Sequence, residues 1–201
     1  MSCRANPDGV RGEIEALWDE LDASTDQLGP HQTKTLNLAH QLAAAMWAAN
    51  EVQGAVDILN LTLSCTKTSL GKDHPINTDV LRTLGRIMFG LGHLEQACAI
   101  CREVLESRVR QNGSNHPSSI EAESDLAAVL FETGQQDEPE RLEHQAYEMA
   151  RQHLGKTHFL TTALAWNRAI KYERSGDMDA AKDIIITMLA GRLDWDGARS
   201  C

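Results

Sequence analysis

The chain has 201 residues, 42% hydrophobic and 24% charged, which is ordinary globular usage with enough apolar mass for a packed core. Its net charge of −10 provides no positive field for non-specific nucleic-acid or anionic-membrane binding, so neither is expected as a partner. The first residues lack the apolar run of a secretory leader, and no stretch approaches the roughly 18 apolar residues of a membrane span. Five cysteines (Cys3, Cys65, Cys98, Cys101, Cys201) make no disulfide framework in a chain this long and fit a reducing, cytoplasmic setting.

In chain order, a leading helix is predicted from Val10 to Leu28. Four helix pairs follow, marked by two columns of turn residues that each recur every 42 residues. The first column reads Gly29, Gly71, Gly113, Gly155; the second reads Asn50, Gly92, Gly134, Gly176. A third column, Ala55, Ala97, Pro139, Ala181, keeps the same interval. A fixed period of this size marks a helical array in which each unit stacks on its neighbours.

Within each pair, the first helix is called A and the second B. The first A helix offers Leu38, Leu42 and Met46 to a core, and its B partner offers Ala55, Ile58, Leu59 and Leu63. The second A helix presents Leu81, Leu84, Met88 and Leu91 on one face, closed by Gly92. Its B helix carries the stripe Leu94, Ala97, Cys98, Cys101, Val104, Leu105. The third pair offers Leu126, Leu130, Leu142, Ala146 and Tyr147, with Pro139 in the first turn of helix B behind Asp137. The fourth offers Leu164, Ala165, Ala169 and Tyr172, then Ala181, Ile185, Met188 and Leu189. The predicted fold is all-α, a right-handed α-solenoid of antiparallel helix pairs. Residues 1–9 are expected to be a flexible N-terminus, 10–193 the solenoid and 194–201 a tail.

A glycine between paired helices with alanine five residues later (Gly92/Ala97, Gly176/Ala181) resembles the tetratricopeptide repeat. The segments LGKDHPINT, NGSNHPSSI and LGKTHFLTT resemble the inter-repeat loop of kinesin light chain-type repeats, which also occur in fungal and bacterial arrays. NLAHQLAAAMWAANEVQGA, with Trp47, is similar to the fungal form. The resemblance covers about residues 10–192 and implies a protein-binding scaffold. It implies loop-stabilising hydrogen bonds for His74, His116 and His158. It also implies a helix-A asparagine that holds a bound peptide backbone. That column reads Gln41, Thr83, Asp125, Asn167, so only Asn167 matches and no uniform clamp is implied.

The repeat places His40, Gln41, Arg82, Thr83, Arg86, Asp125, Trp166, Asn167 and Lys171 on the concave wall formed by the A helices. Arg82 and Arg86, four apart, are suited to hold a carboxylate. Asp125 suits a basic group, and Trp166 suits an apolar anchor. The aromatic column Trp47, Phe89, Phe131 reads as packing between units. Cys98 and Cys101 fall on an apolar stripe and read as buried thiols. No metal-ligand set, cofactor motif or catalytic grouping is recognisable. On the last helix, Ile186 stands where the other repeats have Asn60, Arg102 and His144. With Leu193 and Trp195 it suggests a contact with a partner or a second copy.

The expectation is a non-enzymatic adaptor that binds a protein or peptide segment along the helix-A groove. One alternative is a small-molecule-binding protein or enzyme using that groove, with His40, Glu121 or Asp125 carrying protons. The other is a homodimer built through the C-terminal helix.

Overall fold

The computed structural model describes the backbone of residues 7–71, 73–135 and 137–198, and side chains between residues 11 and 189. Among the described residues there are nine α-helices and no strand. They are α1 (Pro7–Leu28), α2 (Thr33–Ala48), α3 (Val52–Ser69), α4 (Pro75–Gly90) and α5 (Leu94–Asn112). Then come α6 (Pro117–Glu132), α7 (Asp137–His153), α8 (Phe159–Ser175) and α9 (Met178–Ala198). Helix α1 starts and α9 ends inside the stretches expected to be loose. The helix starts follow from Pro75 and Pro117 at first positions, where a missing N–H costs nothing.

Both columns of turn residues adopt positive φ throughout, from Gly29 at 93° to Gly176 at 85°. Left-handed backbone turns the chain out of one helix toward the next. The single non-glycine among them is Asn50, at φ 65°, and asparagine is the side chain that tolerates this region best.

The chain divides into two compact units at Ser107/Arg108, within α5. In the first unit α1 packs on α2, α2 on α3, and α4 on both α2 and α3. Leu42, Leu59, Val80 and Ile87 are fully buried there. Trp47 of α2 lies against Gly90 of α4, where an added Cβ would stand 3.0 Å from the indole. Ile100 and Cys101 of α5 lie against Gly85 of α4. In the second unit α6 packs on α7, α8 on α6 and α7, and α9 on α8. Its core includes Ile120, Leu130 and Ala146.

Nearly all the predicted core residues are buried or half-buried, including Cys98 and Cys101. Two are not. Leu91 is exposed because it is the C-cap of α4, past the last turn that faces the core. Leu189, on α9, is 53% exposed. Phe131, expected in a packed column, is also exposed, with an ammonium over its ring.

Candidate functional site

In the first unit the A helices are α2 and α4. His40 sits at their seam, its Nε2 2.7 Å from the Thr83 hydroxyl. That hydroxyl donates to the Asp79 carbonyl at 3.2 Å, which leaves a lone pair for the His40 N–H. Burial pushes the His40 imidazole below its ordinary pKa, partly opposed by the Asp79 carboxylate. His40 and Thr83 therefore join two repeats. Gln41 and Arg86 stand exposed beside them, while Arg82 is half-buried.

In the second unit the A helices are α6 and α8. Lys171 of α8 makes an ion pair with Glu143 of α7 at 2.9 Å and lies 4.5 Å from the centre of the Phe131 ring of α6. One turn earlier, Arg168 lies 5.0 Å over Tyr147 of α7. These cations clip α8 onto the preceding pair. Asp125 and Glu121 are half-buried on α6, whereas Asn167 and Trp166 are exposed on α8. Of the nine expected contact residues, the structure thus gives His40, Thr83 and Lys171 an inter-helix bond. It leaves Gln41, Arg86, Trp166 and Asn167 open to solvent.

Two recurring features take their form only in the structure. The first is a buried polar column, Thr35, Asn77, Ser119, Thr161, at the same 42-residue interval. Thr35 Oγ1 donates to the Gly29 carbonyl at 2.9 Å, Thr66 Oγ1 to Asn77 Oδ1 at 3.0 Å, and Ser119 Oγ to the Gly113 carbonyl at 2.7 Å. Each bond ties an A helix to the end of the helix before it. Thr161 Oγ1 breaks the pattern, since it is buried without a partner. Alignment of the repeats at the glycines would have exposed this column, because polar residues recurring where a core is expected are the signal.

The second is the role of the loop histidines, each of which is an N-cap. Ile76 N–H donates to His74 Nδ1 at 3.3 Å, Ser118 N–H to His116 Nδ1 at 3.2 Å, and Leu160 N–H to His158 Nδ1 at 3.2 Å. Gln32 holds the same position in the first repeat and makes no cap bond. The sequence pointed to loop hydrogen bonds here but not to their acceptor.

One glutamate is out of place. Glu123 is buried on α6 where the other repeats have Ala39, Leu81 and Ala165. Burial raises its carboxyl pKa, and Arg141 of α7 pulls the other way. Among the described residues no three His, Cys, Asp or Glu are grouped to hold a metal ion. No helix there is long and apolar enough to cross a membrane.

At the last helix pair, Phe159, Ala163 and Trp166 of α8 face Ile185, Met188 and Leu189 of α9 across an open cavity of about 350 Å³. Ile186, the residue after Ile185, is 62% exposed. The side chains of Leu193 and Trp195 lie outside those described.

A family model described as tetratricopeptide repeat matches residues 77–152, and a second of the same description matches residues 35–76. No curated protein matches the chain. Among solved structures, the "kinesin light chain nearly identical TPR-like repeats" of Podospora anserina are 22% identical, with a TM-score of 0.75 over 93% of this chain and 88% of that one. A second structure of those repeats is 23% identical, with a TM-score of 0.73 over 92% and 88%. BtubC (BKLC) from P. vanneervenii is 14% identical, with a TM-score of 0.77 over 94% of this chain and 75% of that one. At these identities the likeness shows the fold, an all-α repeat solenoid.

Proposed function

The chain belongs to the tetratricopeptide repeat family, whose repeats generally mediate protein–protein interaction, and on that footing we propose that it is a non-enzymatic adaptor binding a peptide segment through its A helices. The observation that carries this reading is the solvent-facing polar set on those helices. Gln41 and Arg86 form it in the first unit, Asn167 with Trp166 in the second. Core-forming side chains on the same helices are spent on packing. These four are not, and they include types that recognise peptides: a guanidinium for carboxylates, an amide for backbone, an indole for apolar area. Arg82 and Asp125, half-buried beside them, set the sign of charge each unit prefers, acidic near Arg82 and basic near Asp125. The cysteine usage supports a reducing, cytoplasmic place of work.

The test is a peptide array carrying acidic and basic segments, probed with the full chain. Arg86→Glu is expected to weaken the acidic binders at least tenfold while the melting temperature stays within about 2 °C, as for an exposed surface change. Acidic peptides held with full affinity by Arg86→Glu would refute the assignment. Self-association through Ile186, Leu193 and Trp195 is the rival use of the C-terminal helix. Sedimentation of the chain and of Ile186→Glu decides it.

A further inference from the structure

Three charges stand at the contact of α7 and α8 where the other repeats are apolar. Arg168 of α8 falls in the column Leu42, Leu84, Leu126, and Lys171 in the column Ala45, Ile87, Val129. Glu143 of α7 falls in the column Leu17, Leu59, Cys101, Ile185. Leu42, Leu59 and Ile87 are fully buried in their own repeats, and Leu84, Cys101, Leu126 and Val129 are buried too. At α7–α8 the same places hold the Lys171–Glu143 ion pair of 2.9 Å, each side chain 26% exposed, and Arg168 laid over Tyr147. Tyr147 itself replaces the leucine of Leu21, Leu63, Leu105 and Leu189.

The start of α8 departs in the same direction. Eleven residues before each member of the buried polar column stands Ser24, Thr66, Arg108 or Ala150. In the first repeat Ser24 Oγ is 2.9 Å from Thr35 Oγ1, in the second Thr66 donates to Asn77, and in the third Ser119 uses the Gly113 carbonyl instead. In the fourth, Ala150 has no hydroxyl and Thr161 Oγ1 is buried without a partner. The apolar part of this contact includes Ile120, Ala146 and Ala150 against Leu160 and Leu164. A half-buried ion pair adds little once desolvation is counted, and replacing one by well-packed apolar groups is often stabilising. A buried hydroxyl without a partner favours any state in which it meets water.

We propose that the α7–α8 contact is a hinge, at which α8 and α9, packed on each other, swing out together about the Gly155 loop while α6 and α7 stay folded. Opening hydrates the Thr161 hydroxyl and the three charges. It bares Ile120, Ala146 and Ala150 on one side and Leu160 and Leu164 on the other. It also re-aims Trp166 and Asn167, which ride on α8. Ionic strength sets how far the hinge opens, because salt screens the partly exposed ion pair. The hinge does not depend on the adaptor reading above.

Native-state hydrogen exchange of the full chain tests this. Amides in the middle of α8 and α9 are expected to exchange through one common opening, at least tenfold less protected than those of α6 and α7. Raising salt from about 0.05 M to about 0.5 M should lower that protection at least threefold. Lys171→Val with Glu143→Leu, which installs residues found in those columns, should raise protection in α8 and α9 at least tenfold and abolish the salt response. Ala150→Ser recreates the Ser24–Thr35 pair of the first repeat and should raise protection about fivefold on its own. Equal protection in all four helices would overturn the proposal. So would protection lost progressively from the end of α9 inward, which is fraying and not a hinge. A double variant without effect on protection, or a salt response that survives it, would overturn it equally.

Discussion

Thr161 and Thr66 show how one type of buried hydroxyl plays opposite parts. Thr66 donates to buried Asn77, so Thr66→Val removes that bond and is expected to cost about 1–2 kcal/mol in urea denaturation. Thr161 has no partner, so Thr161→Val keeps the shape and discards an unsatisfied group. It is expected to be neutral or to stabilise by up to about 1 kcal/mol. Glu123 and His40 should respond to acid in opposite directions. Glu123 has a raised folded pKa, so the folded state holds its proton more firmly than the unfolded chain. Its penalty is present at neutral pH and relieved as pH falls toward the raised value. His40 has a lowered folded pKa, so protonation favours the unfolded chain and stability is lost as pH falls through about 6.5. Melting temperatures at pH 7 and pH 5 are expected to fall less for His40→Gln than for the parent. For Glu123→Gln they should fall more, because the relief at low pH is gone. Equal pH responses in all three proteins would contradict both assignments.

At the scale of the element, each A helix except the first begins with a histidine cap, and the turn before each B helix needs left-handed backbone. His74→Ala is expected to cost about 1 kcal/mol, the usual worth of an N-cap bond. Gln32 makes no such bond, so Gln32→Ser should add about 0.5–1 kcal/mol in the same denaturation assay. The glycine columns and apolar stripes were legible in the sequence because positive φ and helical amphipathicity each restrict residue choice locally. The histidine cap was half legible. Its recurrence was visible, but its acceptor became apparent only when Nδ1 was seen facing the N–H of the second helical residue. The aromatic column was misleading at its last member. Trp47 packs on Gly90, yet Phe131 offers its ring to Lys171, a choice made by a side chain 40 residues away.

For the molecule as a whole, the 42-residue period by itself determined the class of fold and the order of the nine helices among the described residues, because each repeat encodes its own turns, caps and buried stripe. The glycine–alanine spacing and the recurring loop segments carried the resemblance to the family that the family models match. Tertiary structure alone decided which helix-A side chains are available. His40, Thr83 and Lys171 look like surface groups along the chain, but packing hands them to a neighbouring helix. It also decided that Trp166 stands beside Ile185 and Leu189 at an open seam. The reason is physical: periodicity reports which face of a helix is apolar, whereas exposure depends on whether another helix comes to lie against that face.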